Sequence, residues 1–198
     1  MTIAIVDYGV GNLASVKKAL DRVGVGSVVT SDPKTVARSE KVILPGVGHF
    51  SSTAALATRG LQEAIHHSIL RAVPFLGICV GLQWMLASSE EAPEVKGLGI
   101  WPGACVRFPL SVKSPHVGWN QLEFCHNSSR LLRNIPNGGF VYFTHSYRVP
   151  LLAATTAECE YGGRFSASVE QDNFFGVQFH PAKSGALGLQ LLQNFCSL

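Results

Sequence analysis

Three short runs in the first half of the chain, TIAIVDY, KVILPG and PFLGIC, are apolar at nearly every position, and a fourth, GSVVTS, is rich in β-branched residues. A strand reads that way when both its faces are buried, the condition of a parallel sheet covered by helices on both sides. Segments of helical pattern separate and follow these runs: NLASVKKALDRVG, a short SDPKTVARSE opened by a Ser-Asp-Pro start signal, STAALATRGLQEAIHHSILRA, and GLQWMLASSE. The alternation predicts parallel strands joined by crossover helices.

After a Gly/Pro-rich stretch from Glu91 to Gly103 the rhythm changes. ACVRF, NQLEF, GGFVYFTHSYRV, RFSASVEQ and NFFGVQF arrive with few helices between them, so the second half should add antiparallel strands. EQDNFF reads as a hairpin turning at Asp172 and Asn173, and SGALGLQLLQNFCSL carries the apolar stripe of a closing helix. The expected fold class is α/β: a mostly parallel central sheet flanked by helices, with additional antiparallel strands, in one domain spanning residues 1–198.

Composition limits the function classes. With 46% hydrophobic and 15% charged residues, a chain of 198 residues can bury its core without metals or disulfides. Sixteen basic against thirteen acidic side chains give +3, and they are scattered, which argues against a nucleic-acid surface. Cys79, Cys105, Cys125, Cys159 and Cys196 lie far apart without C-x-x-C spacing, so reduced thiols are expected, with no metal and no cofactor. No apolar run reaches membrane-spanning length and the N-terminus lacks a basic export signal, so a cytoplasmic protein is expected.

Two glycine patterns compete as the seat of function. Gly9-Val-Gly11-Asn-Leu-Ala14 fits a nucleotide-binding turn, with Asp32 placed as the ribose acid, although any first strand-to-helix turn needs small residues. Gly77-Ile78-Cys79-Val80-Gly81, between an apolar run and a helix, is more specific. A nucleophile on a strained turn needs neighbours without side chains, and a helix N-terminus favours the thiolate. The alternative is a small buried cysteine in a tightly packed strand. An oxyanion could be held by the N–H of Val80 and by the PGVG loop, Pro45 to Gly48, through Val47. His180 ends NFFGVQF, on the sheet edge that parallel topology shares with Cys79, and is the candidate base. His66 and His67 fall in a helical stretch and His126 in a polar loop, positions that suit solvated histidines.

VDYGVGN, ILPGVGHF, FLGICVGLQ, EEAPEVKGLG, PHVGWN, YFTHSYRV and GVQFHPAKS together resemble the class I glutamine amidotransferases nearly end to end, and within them the histidine-pathway members. The resemblance implies that Cys79 attacks the amide of glutamine and His180 shuttles the proton to ammonia. It places glutamine against Gln83, Gly46, Gly48 and the backbone near His145 and Ser146. It implies a heterodimer with the (β/α)₈ cyclase subunit of imidazole glycerol phosphate synthase, faced by Asn12, Trp119, Tyr142 and Lys183. Trp119 and Tyr142 could equally be core aromatics. The alternative the resemblance leaves open is a glutaminase subunit for a related amination, in surface-sugar biosynthesis.

One position departs from the family pattern: HPEKS becomes HPAKS, so Ala182 stands where the triad Glu belongs and the orienting carboxylate is absent. A cysteine nucleophile leans less on its base than serine does, so a glutaminase weakened by roughly 10 to 10³-fold is expected. A scaffold without catalysis is the alternative that Ala182 leaves open.

Overall fold

The computed structural model describes residues 2–126 and 128–198. Its first half runs β1 (Ile3–Val6), α1 (Leu13–Arg22), β2 (Ser27–Thr30), α2 (Pro33–Arg38), β3 (Lys41–Gly46), α3 (Ala54–Thr58), α4 (Leu61–Leu70) and β4 (Phe75–Cys79). The short helix α5 (Val80–Trp84) follows, then β5 (Leu86–Ser89), β6 (Trp101–Arg107), β7 (His116–Gln121) and β8 (Glu123–Phe124). The chain closes through β9 (Phe140–His145), β10 (Tyr147–Arg148), β11 (Thr155–Glu160), β12 (Arg164–Gln171), β13 (Phe174–Val177) and α6 (Gly185–Cys196).

The central sheet has eight strands in the order β2-β1-β3-β4-β13-β12-β11-β8. From β2 to β13 the pairs are parallel, and from β13 outward through β12, β11 and β8 they are antiparallel. The apolar runs are explained by this burial. Ile3, Ile5, Ile43, Leu76 and Ile78 belong to the core on the α1 and α6 face, while Ala4, Val6, Val42, Leu44 and Phe75 belong to the core shared with α2 and α4. The expected α/β class and the switch from parallel to antiparallel pairing both hold, as does the β12–β13 hairpin, where Gln171 pairs with Phe174 and Asp172 adopts φ 51°.

Local boundaries differ from the expectation. The helix expected across STAALATRGLQEAIHHSILRA is broken after Arg59, the C-cap of α3, and Gly60, with φ 68°, restarts the chain as the N-cap of α4. GLQWMLASSE is helical only to Trp84, because Leu86–Ser89 leaves the helix to pair in parallel with β6. TTAECE, passed over in the sequence, is β11, paired with strands on both sides despite its alternation of small and charged residues.

Two further features position the site. The separate ribbon β7–β9 pairs His116 with His145 and Trp119 with Tyr142, so one face turns histidines inward and the other turns aromatics outward. The turn 181–183 after β13 packs on α1, α6 and β9.

Candidate active site

Cys79 is the last residue of β4 and the cap of α5, with φ 55° and ψ −110°, a conformation that costs a non-glycine residue strain. The flanking glycines make that turn possible. A Cβ on Gly81 would sit 1.9 Å from the Leu44 carbonyl oxygen, and one on Gly77 would sit 2.7 Å from the Gly81 carbonyl. Any side chain there would push α5 off β3 and β4, so the G-x-C-x-G spacing is a packing requirement of the elbow. A Cβ on Gly46, the register partner of Cys79, would likewise meet Val80 at 2.7 Å, so Gly46 serves close packing.

The elbow opens into a cavity of about 190 Å³ lined by Gly48, Cys79, Val80, Gln83, Glu91, Pro115, Thr144, His145, Ser146 and Tyr147. Of the expected residues, Cys79, Val80, Gly48, Gln83, His145 and Ser146 therefore meet in one place. Gly46 lies beneath it, and half-buried Val47 links Gly46 to exposed Gly48, whose φ is 89°. Glu91 was not singled out from the sequence, although it belongs to the quoted EEAPEVKGLG. One of its oxygens accepts from the Phe50 N–H at 2.7 Å.

The Cys79 thiol is enclosed. Its Sγ lies 3.9 Å from the Thr144 carbonyl oxygen, to which it donates, and 3.7 Å from Nε2 of Gln178, which donates to it. Burial pushes the thiol up to about 12, opposed by the N–H of Val80 and the amide of Gln178. Gln178 was not singled out from the sequence, although it belongs to the quoted GVQFHPAKS. It follows β13, in register with the strand that ends at Cys79.

His180 lies beyond the C-terminal end of β13, on the same sheet edge as Cys79. Its N–H donates to the Tyr142 carbonyl at 2.9 Å and its carbonyl accepts from Ser184 Oγ at 2.8 Å. Ring Nε2 is buried without a hydrogen-bond partner among the described residues. Burial, and then the nearby charge of Lys183, push the imidazole down to about 4. Ala182 offers the ring no acceptor and instead lines a cleft of about 440 Å³ between α1 and α6, beside Ser15, Lys18 and Arg22.

On the outward face of the ribbon, Trp119 is 55% exposed and so is not a core aromatic. It meets half-buried Tyr142 edge-on at 6.0 Å, and Nζ of exposed Lys183 lies 5.6 Å from the Tyr142 ring. Asn12 precedes α1 without capping it through its side chain. Gly9 and Gly11 do form a strand-to-helix turn, but Asp32 is not free to bind a ribose. Its carboxylate caps α2, accepting from the N–H groups of Lys34 and Thr35 and from the Thr35 hydroxyl. His66, His67 and His126 are exposed, as expected.

Comparison with known proteins gives one consistent answer. The family model for glutamine amidotransferase class-I matches residues 4–197. The imidazole glycerol phosphate synthase subunit HisH of Moorella thermoacetica is 48% identical, over 99% of this chain and 94% of that one. Its namesake from Methanothermobacter thermautotrophicus is 44% identical, over 99% of this chain and 98% of that one. Among solved structures, a glutamine amidotransferase superposes with a TM-score of 0.76 at 17% identity, covering 98% of this chain and 97% of that one. PurLQS from Thermotoga maritima gives 0.73 at 21%, covering 99% and 97%.

Proposed function

We propose, from the premise that this chain belongs to the class-I glutamine amidotransferases, that Cys79 and His180 carry out its glutaminase chemistry. Within that family it is a glutaminase subunit of the kind that serves imidazole glycerol phosphate synthase in histidine biosynthesis. The observation that carries the residue assignment is Cys79 on its strained turn, opening into a small cavity that holds one carboxylate, Glu91.

The chemistry follows from those groups. The proton of the Cys79 thiol, which rests on the Thr144 carbonyl, passes to His180 once the two side chains turn toward one another, and the sulfur attacks the side-chain carbonyl carbon of glutamine. The oxyanion forms against the Val80 N–H, with Val47 as second donor once the Gly46–Gly48 segment turns its N–H inward. His180 returns the proton to the departing nitrogen, ammonia leaves and a glutamyl thioester remains. Water then attacks, giving its proton to His180 and releasing glutamate and the thiol. Glu91 is a counter-charge for the substrate ammonium, and Gln83, His145 and Ser146 wall the rest of the amino acid.

The partner is a synthase subunit, and the surface proposed for it is the outward face of β7–β9. Trp119, Tyr142 and Lys183 cluster there beside Val117, 57% exposed, and Phe140, 51% exposed, and Asn12, at the start of α1, is assigned to the same contact by the resemblance alone. β9 also walls the cavity through Thr144, so a docked (β/α)₈ barrel receives ammonia over a short path. Incubation with glutamine and the cyclase subunit, followed by mass spectrometry of the Cys79 peptide, tests the assignment: a glutamyl adduct supports it. Ammonia release without dependence on Cys79 removes it, and saturable NAD binding without ammonia release returns the Gly9–Gly11 turn to first place. The unpartnered His180 ring favours one second reading, a scaffold that supports only ammonia-driven synthesis; a trapped thioester excludes it.

A further inference from the structure

We propose that Gln178 is a further catalytic residue, whose side-chain amide donates to the Cys79 sulfur and favours its thiolate, in an orientation imposed by hydrogen bonds that run from the Tyr147 carbonyl through Gln83. This rests on the reading of Cys79 as nucleophile.

The orientation follows from the acceptors. A backbone carbonyl can only accept, so His145, 2.9 Å from the Tyr147 oxygen, must carry its proton on Nδ1. Burial holds this ring neutral, its pKa pushed down to about 3, so Nε2 of His145 is an acceptor. His116 Nδ1, 3.2 Å away, then donates to it. His116 Nε2 in turn accepts from the amide of Asn120 at 3.4 Å. The His116 ring cannot turn away, being stacked on Phe143 at 4.9 Å and on Tyr161 at 4.0 Å.

The Tyr147 oxygen also receives Gln83 Nε2 at 2.8 Å, which fixes the Gln83 amide with its nitrogen inward. The second hydrogen of that nitrogen reaches Gln178 Oε1 at 3.4 Å. With Oε1 of Gln178 accepting, its Nε2 must be the atom facing Cys79 Sγ, at 3.7 Å. The Gln178 backbone is itself held, its N–H donating to the Ala167 carbonyl at 2.9 Å. Gln83 is therefore a positioning residue for Gln178, besides lining the cavity.

A fixed N–H beside a buried sulfur is worth more to the thiolate than to the thiol, because hydrogen bonds to charged acceptors are the stronger ones. The other titratable groups coupled to Cys79 are Glu91, Lys183, Tyr8 and Cys105, and His145 lines the same cavity. Of these, Glu91 opposes the thiolate and Lys183 supports it. None of them makes a hydrogen bond to the sulfur among the described residues, which Gln178 does.

The test is the pH profile of Cys79 alkylation by iodoacetamide, read on the Cys79 peptide by mass spectrometry in the full chain. Gln178→Met keeps the volume and removes the donor. It should lower the rate at fixed pH by roughly tenfold, equivalent to about one pKa unit upward, with a melting profile that shows the variant folded. Gln83→Met leaves Gln178 in place but free to turn, and should lower the rate by a smaller factor of about three. A folded Gln178→Met with an unchanged profile overturns the proposal. If that variant does not fold, an unchanged profile in Gln83→Met overturns it instead. Alkylation needs no glutamine, so a shifted profile in a protein without glutaminase activity would count against the proposed function alone.

Discussion

The N–H of His180 donates to the carbonyl of Tyr142 at 2.9 Å while Nε2 of the His180 ring is buried without a partner among the described residues. The main chain of the candidate base is thus held by β9, and its imidazole is not. The resemblance read from the sequence implies a glutamate at 182; here Ala182 supplies only a methyl group to the turn. Burial, and then the positive charge of Lys183, hold the ring neutral, at about 4. Restoring a carboxylate by Ala182→Glu favours the imidazolium, so the His180 pKa should rise toward the ordinary value near ~6.5. An NMR titration of the His180 ring in both proteins checks this, and coincident curves would show that residue 182 does not reach the ring.

Replacing Cys79 separates the two halves of the coupled reaction. Cys79→Ala should lower partner-dependent glutaminase turnover by at least about 10⁴-fold, as loss of a covalent nucleophile does. Synthesis driven by added ammonia, which bypasses the elbow, should stay within roughly twofold. Parallel assays with glutamine and with ammonium salt decide it.

Trp119 should matter to assembly and not to folding. More than half of it is in solvent in the free chain, so Trp119→Ala creates no cavity. An aromatic anchor of this kind contributes about 2 kcal/mol to an interface, so the dissociation constant for the cyclase subunit should rise roughly thirtyfold. Titration calorimetry on the pair measures it, with the melting temperature of the isolated subunit unchanged.

Stability should depend on pH with a defined sign. His116, His145 and His180 are pushed down to about 4, 3 and 4 by burial. The unfolded chain therefore binds protons first, near ~6.5. Stabilisation from these rings is complete above that pH and is lost as the pH falls toward 3. Cys79, pushed up to about 12, acts oppositely: its contribution is present below the unfolded thiol value near ~8.5 and is lost as the pH rises toward 12. Melting temperatures should be highest between about pH 7 and 8. A midpoint that rises on acidification to pH 5 would contradict the buried neutral imidazoles.

The parts of this protein legible in the sequence are those where one residue answers one local demand. Gly77 and Gly81 are readable because a strand-to-helix elbow tolerates nothing larger, and the parallel strands because burial on both faces leaves an unbroken apolar run. Asp32 could be read two ways, and the same Ser-Asp-Pro that opens α2 explains why its carboxylate is occupied. β11 was not legible, because its strand character comes from partners on both sides and not from its own side chains. Gln178 and Glu91 were hidden for a different reason. Their roles arise from what tertiary folding brings near, a sulfur 3.7 Å from one and the cavity beside the other.

Partner-saturated glutaminase kinetics of this chain beside its Ala182→Glu variant test most directly whether His180 works as a base. If His180 is a working base without its orienting carboxylate, this chain should turn over glutamine detectably, and the variant should raise kcat by roughly 10 to 10³-fold with KM little changed. Equal kcat values for the two proteins would contradict it, since the vacant position beside His180 would then have no part in the rate.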